Sequence, residues 1–198
     1  MNVLLSLSRL IDAMNEKIGK GAMWLILAAV LISCANAIVR KAFNWSSNGL
    51  LEIQWYLFSA VFLFGAAYTL RHNEHVRIDV IVGHLSKRTQ AWIELFGTTF
   101  FLMPMCLMML WMAAPWAMHS IQSGEESVNA GGLILWPVKL MLPIGFLFLT
   151  LQGVSELIKR VAFLMDLIPD PSEKHELPSA EEELIAEIQR MREENKNG

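Results

Sequence analysis

Charged residues are scarce in this chain. Asp, Glu, Lys and Arg make up 18% of its 198 residues, against about 25% in an ordinary soluble domain, while 54% are hydrophobic and the mean hydropathy is +0.40. That balance excludes an ordinary soluble domain and fits a membrane protein. A basic excess is missing as well: 16 Lys and Arg stand against 19 Asp and Glu, a net charge of −3, so nothing draws the chain to nucleic acid. Cysteine is limited to Cys34 and Cys106, each inside a long apolar stretch. A disulfide framework and a CxxC metal or redox pair are therefore ruled out, and both cysteines read as small core hydrophobes. The patterns GxxxxGKS/T, GxSxG and HExxH do not occur, so nucleotide hydrolysis and the common hydrolase chemistries lack their parts. The five histidines all lie outside the apolar stretches, which argues against haem held between membrane helices. No catalytic, substrate-binding or metal residue and no cofactor is expected, and enzyme is the weakest class.

What is present is four long apolar stretches. A membrane helix needs about 20 mostly apolar residues, because in hydrocarbon the helix must satisfy its own backbone polar groups. Gly21–Val39, Leu50–Leu70, Ala91–Met118 and Leu133–Leu157 meet that requirement. The expected fold is an all-α membrane protein with four transmembrane helices. Four such spans leave no room for two large inverted repeats, so the chain is expected to serve as a subunit of a larger system. Pro104 and Pro115 predict a tilt or kink in the third span. Lys17 and Lys20, ahead of a run containing Ala35-Asn36-Ala37, superficially suggest a signal peptide. The run has full spanning length, however, and the first span is expected to stay attached.

Lys and Arg are distributed unevenly over the flanking segments. Arg9, Lys17, Lys20, Arg71, Arg77, Lys87, Arg88, Lys159 and Arg160 fall on one side, and Arg40 and Lys41 on the other. Both termini are expected to be cytoplasmic. Residues 1–20 form a first unit, where Leu4, Leu7, Ile11, Met14 and Ile18 recur at three- and four-residue steps and predict an amphipathic interfacial helix resting on membrane lipids. Residues 21–165 form the bundle, and residues 166–198 a charged cytoplasmic tail. Ser179 and Glu182 there match a capping box opening a short helix.

A charge at the bilayer centre costs at least about 2.5–3.5 kcal/mol, so charges inside spans need a reason. Glu52 enters the second span and Lys139 the fourth from the outer end; the alternatives are pairing within the subunit, snorkelling of Lys139 beside Trp136, and contact with a partner protein. On the inner side, Glu94 and Glu156 lie close in depth to the run Arg71-His72-Asn73-Glu74-His75-Val76-Arg77-Ile78-Asp79. A packed segment with Arg71, Arg77 and Asp79 satisfied by the two glutamates competes with a solvated loop. Trp24, Trp45, Trp55, Trp92, Trp116 and Trp136 stand near span ends and read as interfacial anchors.

These residues carry a family resemblance. Glu52-Ile53-Gln54-Trp55-Tyr56-Leu57-Phe58, Leu70-Arg71, Asn73-Glu74-His75-Val76-Arg77-Ile78-Asp79-Val80, Gly131-Gly132-Leu133, Trp136-Pro137-Val138-Lys139 and Leu142-Pro143-Ile144-Gly145 together resemble the small membrane subunit, DctQ, of the tripartite ATP-independent periplasmic (TRAP) transporters. The resemblance implies a bacterial inner-membrane scaffold subunit with two protein partners. One is a large sodium-coupled elevator-type membrane subunit; the other is a periplasmic substrate-binding protein that captures an organic acid or related small solute. It carries no substrate site to this chain. Glu52, Arg71, His75, Arg77, Asp79, Glu94, Lys139 and Glu156 are the candidates for structural or subunit-interface roles. The competing readings are a self-contained oligomeric exporter, which would call for a carboxylate near mid-bilayer, and a tetraspan assembly or signalling protein.

Overall fold

The computed structural model describes residues 2–45, 47–72 and 85–169. Its elements are α1 (Asn2–Phe43), α2 (Asn48–Arg71), α3 (Lys87–Gly97), a π-helical turn at Thr98–Leu102, α4 (Met103–Ser123) and α5 (Trp136–Leu164). The described residues contain no strand, only an isolated bridge between Glu126 and Ile134. Four helical stretches are long and apolar enough to cross a membrane: α1, α2, the α3–α4 composite and α5. The expected all-α four-span architecture is therefore present. His75, Arg77, Asp79 and the expected tail helix lie outside the described residues.

The segment expected as a separate interfacial helix runs without a break into the first span. α1 has 42 residues, about 63 Å of helix, roughly twice the hydrocarbon thickness. The cause is a single seam. Ser8, Asn15, Ala22, Ala29 and Asn36, spaced by seven, are all buried, and Ile11, Ile18, Leu25, Ile32 and Val39, three residues further on each time, are buried or half-buried. One heptad register thus spans both halves of α1, small or polar at one position and aliphatic at the other, and an unbroken heptad favours left-handed winding against a neighbour. Leu7 and Leu10 fall outside that seam, Leu4 continues its aliphatic position one heptad before Ile11, and all three are exposed.

The interior is built from small side chains. Ala22, Ala29, Ala60, Ala67, Cys106, Ala113 and Ala117 are buried while large aromatic and aliphatic residues face outward. This is the composition expected where lipid is as apolar as leucine and close backbone approach drives association. α5 is the hub, packing against α1, α2 and α4; the α3–α4 span rests on α5 and makes no comparable contact with α1 or α2. At the α2 crossing, Phe64 meets Phe148 edge-on with centroids 6.0 Å apart. The π turn has a local cause: Pro104 has no N–H for the Phe100 carbonyl, and its ring crowds that carbonyl. The helix widens there, and the Met103 N–H bonds to the Thr98 carbonyl.

Gly145 sets the spacing between α2 and α5. A Cβ on it would stand 2.7 Å from Leu63 Cβ and 3.2 Å from the Leu63 carbonyl oxygen, whereas one on Gly65 would meet nothing within 4 Å. Gly145→Ala should therefore cost about 1–3 kcal/mol through overpacking and lower the thermal midpoint in detergent, while Gly65→Ala should not. Equal midpoints would show that the helices are not in close contact there.

Candidate functional site

The polar side chains that the apolar helices carry collect into two clusters, one at each end of the bundle. The inner cluster lies between the first half of α1 and the last half of α5. Asn15 Nδ2 donates to Gln152 Oε1 at 2.8 Å, and Gln152 Nε2 donates to Asp12 Oδ1 at 2.9 Å and Glu156 Oε1 at 3.0 Å. Ser155 Oγ donates to Asp12 Oδ1 at 2.7 Å, which leaves the Ser8 hydroxyl as donor in the 2.7 Å contact between the two serines. Both carboxamide hydrogens and the oxygen of Gln152 are thus used, and the two flanking carboxylates fix which way its amide points. Lys159 completes the group, 3.2 Å from Asp12 and 2.5 Å from Glu156.

α2 closes this cluster from the other side. Arg71 Nη1 donates to the Asp12 carbonyl at 2.8 Å and to Glu16 at 2.5 Å; His72 Nε2 lies 2.9 Å from Glu16, and so does Lys20 Nζ. Three carboxylates, Asp12, Glu16 and Glu156, therefore face three cations, Arg71, Lys159 and Lys20. Glu94 of α3 pairs with Arg160 at 2.6 Å, where Arg160 is buried. The expected use of Glu94 and Glu156 to satisfy Arg71 is not what the chain does. The α3–α4 span docks on α5 alone, so Glu94 meets Arg160, and Arg71 turns to α1. Each hydrogen bond of this kind is worth about 0.6 kcal/mol on average in membrane bundles. Deleting one partner exposes the others to the larger cost, about 1–3 kcal/mol, of an unsatisfied buried group.

The outer cluster staples the α4–α5 connection onto α2. Glu52 is buried and accepts from Ser127 Oγ at 2.5 Å, Asn129 Nδ2 at 2.8 Å and the Leu133 backbone N–H at 2.7 Å. Tyr56 donates to the Ile134 carbonyl at 2.8 Å, and Asn48 to that of Ala130 at 2.9 Å. The loop can reach Glu52 because Gly131 takes φ +73°, a left-handed conformation that glycine adopts without strain. At Gly132 a Cβ would strike Ser127 at 2.5 Å. The motif residues Glu52, Gly131, Gly132 and Leu133, distant in the chain, thus belong to one contact. Lys139 does not pair with Glu52: it is bonded to Glu125, with its ammonium 4.6 Å from the centroid of the Trp116 ring. Among the described residues no three His, Cys, Asp or Glu gather as metal ligands would.

The inner cluster depends on residues that the charges in the spans do not point to, namely Ser8, Asp12, Asn15, Glu16, Gln152 and Ser155. The signal that could have found Ser8 and Asn15 is their seven-residue recurrence with Ala22, Ala29 and Asn36, which sets a polar stripe into the packed face of α1.

The geometry defines a small four-span membrane protein in which Glu52, Glu94, Lys139 and Glu156 are each bonded within the chain. The family model for tripartite ATP-independent periplasmic transporters, DctQ component, matches residues 29–163, about two thirds of the chain, and the chain belongs to that family. Comparisons with curated proteins and with solved structures gave no match. The family is that of a transporter component, not of an enzyme.

Glu125 lies in the connection outside the spans, and the hydrogen bond from Lys139, helped by one from Ser120, holds its carboxyl below the ordinary value of 4.5. A carboxylate whose pKa is depressed in the folded state contributes stability above its unfolded pKa and loses it as pH falls through the folded one. The thermal-midpoint difference between wild type and Glu125→Gln should therefore be constant from pH 7 to about 5 and shrink as pH falls below 4.5. A difference that persists unchanged at pH 3 would mean that the pair does not form.

Proposed function

We propose that this chain is the fixed scaffold subunit of a sodium-coupled TRAP importer of an organic acid or related small solute. It sits in the bacterial inner membrane with both termini cytoplasmic and packs against the large elevator-type subunit that receives substrate from a periplasmic binding protein. Family membership supports the transporter assignment, and the nine-to-two division of Lys and Arg supports the orientation. The observation that carries the scaffold role is that Glu52, Glu94, Lys139 and Glu156, the charges inside the spans, are each held by partners of the same chain. An elevator needs one body that keeps its shape while another crosses the membrane. Ties at both ends of α5 and tryptophans exposed near the span ends suit that part. Arg71 and Glu52 act as internal ties.

The test is reconstitution of this chain, the large subunit encoded with it and the binding protein into proteoliposomes under an inward sodium gradient. Uptake of labelled mono- or dicarboxylates should need all three, and the isolated chain should give none. Glu52→Gln should lower recovered complex and maximal uptake together, leaving the half-saturating concentration and the sodium dependence at their wild-type values. Transport by the isolated chain, or an altered substrate preference in a Glu52→Gln complex that assembles normally, would overturn the scaffold reading.

A further inference from the structure

Around the first half of α1, at 3.6 residues per turn, the side chains sort by chemistry. Val3, Leu7 and Leu10 form an exposed apolar sector. Beside it come Lys17, Trp24, Lys20 and Arg9, all exposed and within an arc of about 80°. Beyond these lie Glu16 and Asp12, the only carboxylates in α1, and then Ser8 and Asn15 in the buried seam. Both carboxylates are turned to the protein: Asp12 meets Gln152, Ser155 and Lys159, and Glu16 meets Arg71, His72 and Lys20. Packing thus takes every negative charge of α1 to the inside and leaves the outward arc cationic. Lys20 shares its charge with Glu16. Arg9 bonds only to the neutral Leu5 carbonyl and Ser6 hydroxyl, and Lys17 has no partner among the described residues.

The same half of α1 does not run alongside α5. Ser8 meets Ser155 and Asn15 meets Gln152, so about 10 Å along α1 answers to about 4.5 Å along α5. Measured along α5, a helix long and apolar enough to span, the first half of α1 therefore changes level slowly. That is the attitude of a helix lying near the membrane surface, where the apolar side enters the acyl boundary and the cations face the headgroups.

We propose that Arg9 and Lys17, assisted by Lys20, bind the phosphodiester headgroups of anionic phospholipids whose acyl chains cover Val3, Leu7 and Leu10. One molecule meets both demands of this surface, because its phosphate adjoins its chains as the cationic arc adjoins the apolar sector. Guanidinium and ammonium groups make charge-assisted hydrogen bonds to phosphate oxygens, and each Lys or Arg near an anionic surface favours binding by about fivefold. A zwitterionic lipid offers the same chains without net negative charge, so the arc selects the anionic class. The inference concerns what surrounds the subunit and stands apart from the scaffold reading.

The test immobilises the full chain in detergent micelles holding equimolar dioleoylphosphatidylglycerol and dioleoylphosphatidylcholine, and measures the retained lipids by mass spectrometry. The wild-type chain should be enriched in phosphatidylglycerol about tenfold or more, and the enrichment should fall as ionic strength rises. That salt dependence is read on the unaltered chain. Arg9→Gln with Lys17→Gln should lower the enrichment at least about fivefold, whereas Arg9→Lys with Lys17→Arg, which keeps both charges, should preserve it. Arg40→Gln with Lys41→Gln, which removes as much charge from the other end of α1, should change it less than about twofold. Equal retention of the two lipids by the wild-type chain, enrichment indifferent to salt, or a loss no greater for the Arg9 and Lys17 pair than for the Arg40 and Lys41 pair would overturn the proposal. So would an unchanged enrichment in the Arg9→Gln, Lys17→Gln variant together with loss of the large subunit from the intact complex, which would make the cationic arc a protein contact.

Discussion

The carboxylate of Asp12 gathers Gln152, Ser155 and Lys159 from one face of α5. A carboxylate on a helix that packs in a membrane bundle is tolerable only when its oxygens are used, and here each neighbour that satisfies Asp12 must itself be satisfied. Gln152 brings in Asn15 and Glu156, Lys159 balances Glu156, and Arg71 bonds the Asp12 carbonyl while neutralising Glu16. The start of α1, the end of α2 and the end of α5 are thereby held at one level.

The outer end answers to the same constraint through a different device. Glu52 on α2 binds a loop instead of a helix, and the loop in turn fixes where α5 begins, since Leu133 donates to Glu52 only three residues before Trp136. α5 is therefore tied at its inner end to α1 and at its outer end to α2, with Gly145 allowing close contact between. The α3–α4 span sits outside this frame. It is attached to α5 by small side chains and the Glu94–Arg160 pair, and its aromatic, methionine-rich face is uncovered by the other described residues.

Much of this was legible in the amino-acid sequence, because hydrocarbon imposes one strong rule on length and polarity. All four spans follow from it, and Pro104 marked the place where the third departs from α-helical geometry. What periodicity hid was the facing of α1. Leu4, Leu7, Ile11, Met14 and Ile18 look like one stripe at three- and four-residue steps, yet Ile11 and Ile18 are the ones packed in the seam; Leu7 lies off it, and Leu4, though in register with Ile11, is exposed. In a membrane protein the packed face is the one with small and polar residues, so ranking faces by hydrophobicity selects the wrong side. The ion pairs were hidden for another reason. Charges in the spans were natural candidates for one another, but Lys139 and Arg71 found Glu125 in a loop and Glu16 ahead of the first span, neither of which needed a partner on grounds of depth.

If the polar stripe of α1 holds its inner third against α5, the subunit moves as one body. Spin labels at Leu10 on α1 and Trp92 on α3, both exposed, would measure this in nanodiscs by pulsed electron resonance, with Cys34→Ser and Cys106→Ala removing the native thiols. A single narrow distance is predicted for the otherwise unaltered chain, and a broad distribution when Gln152→Ala removes the side chain that joins Asn15, Asp12 and Glu156. A broad or two-peaked distribution before that change, or a narrow one that survives it, would contradict the claim.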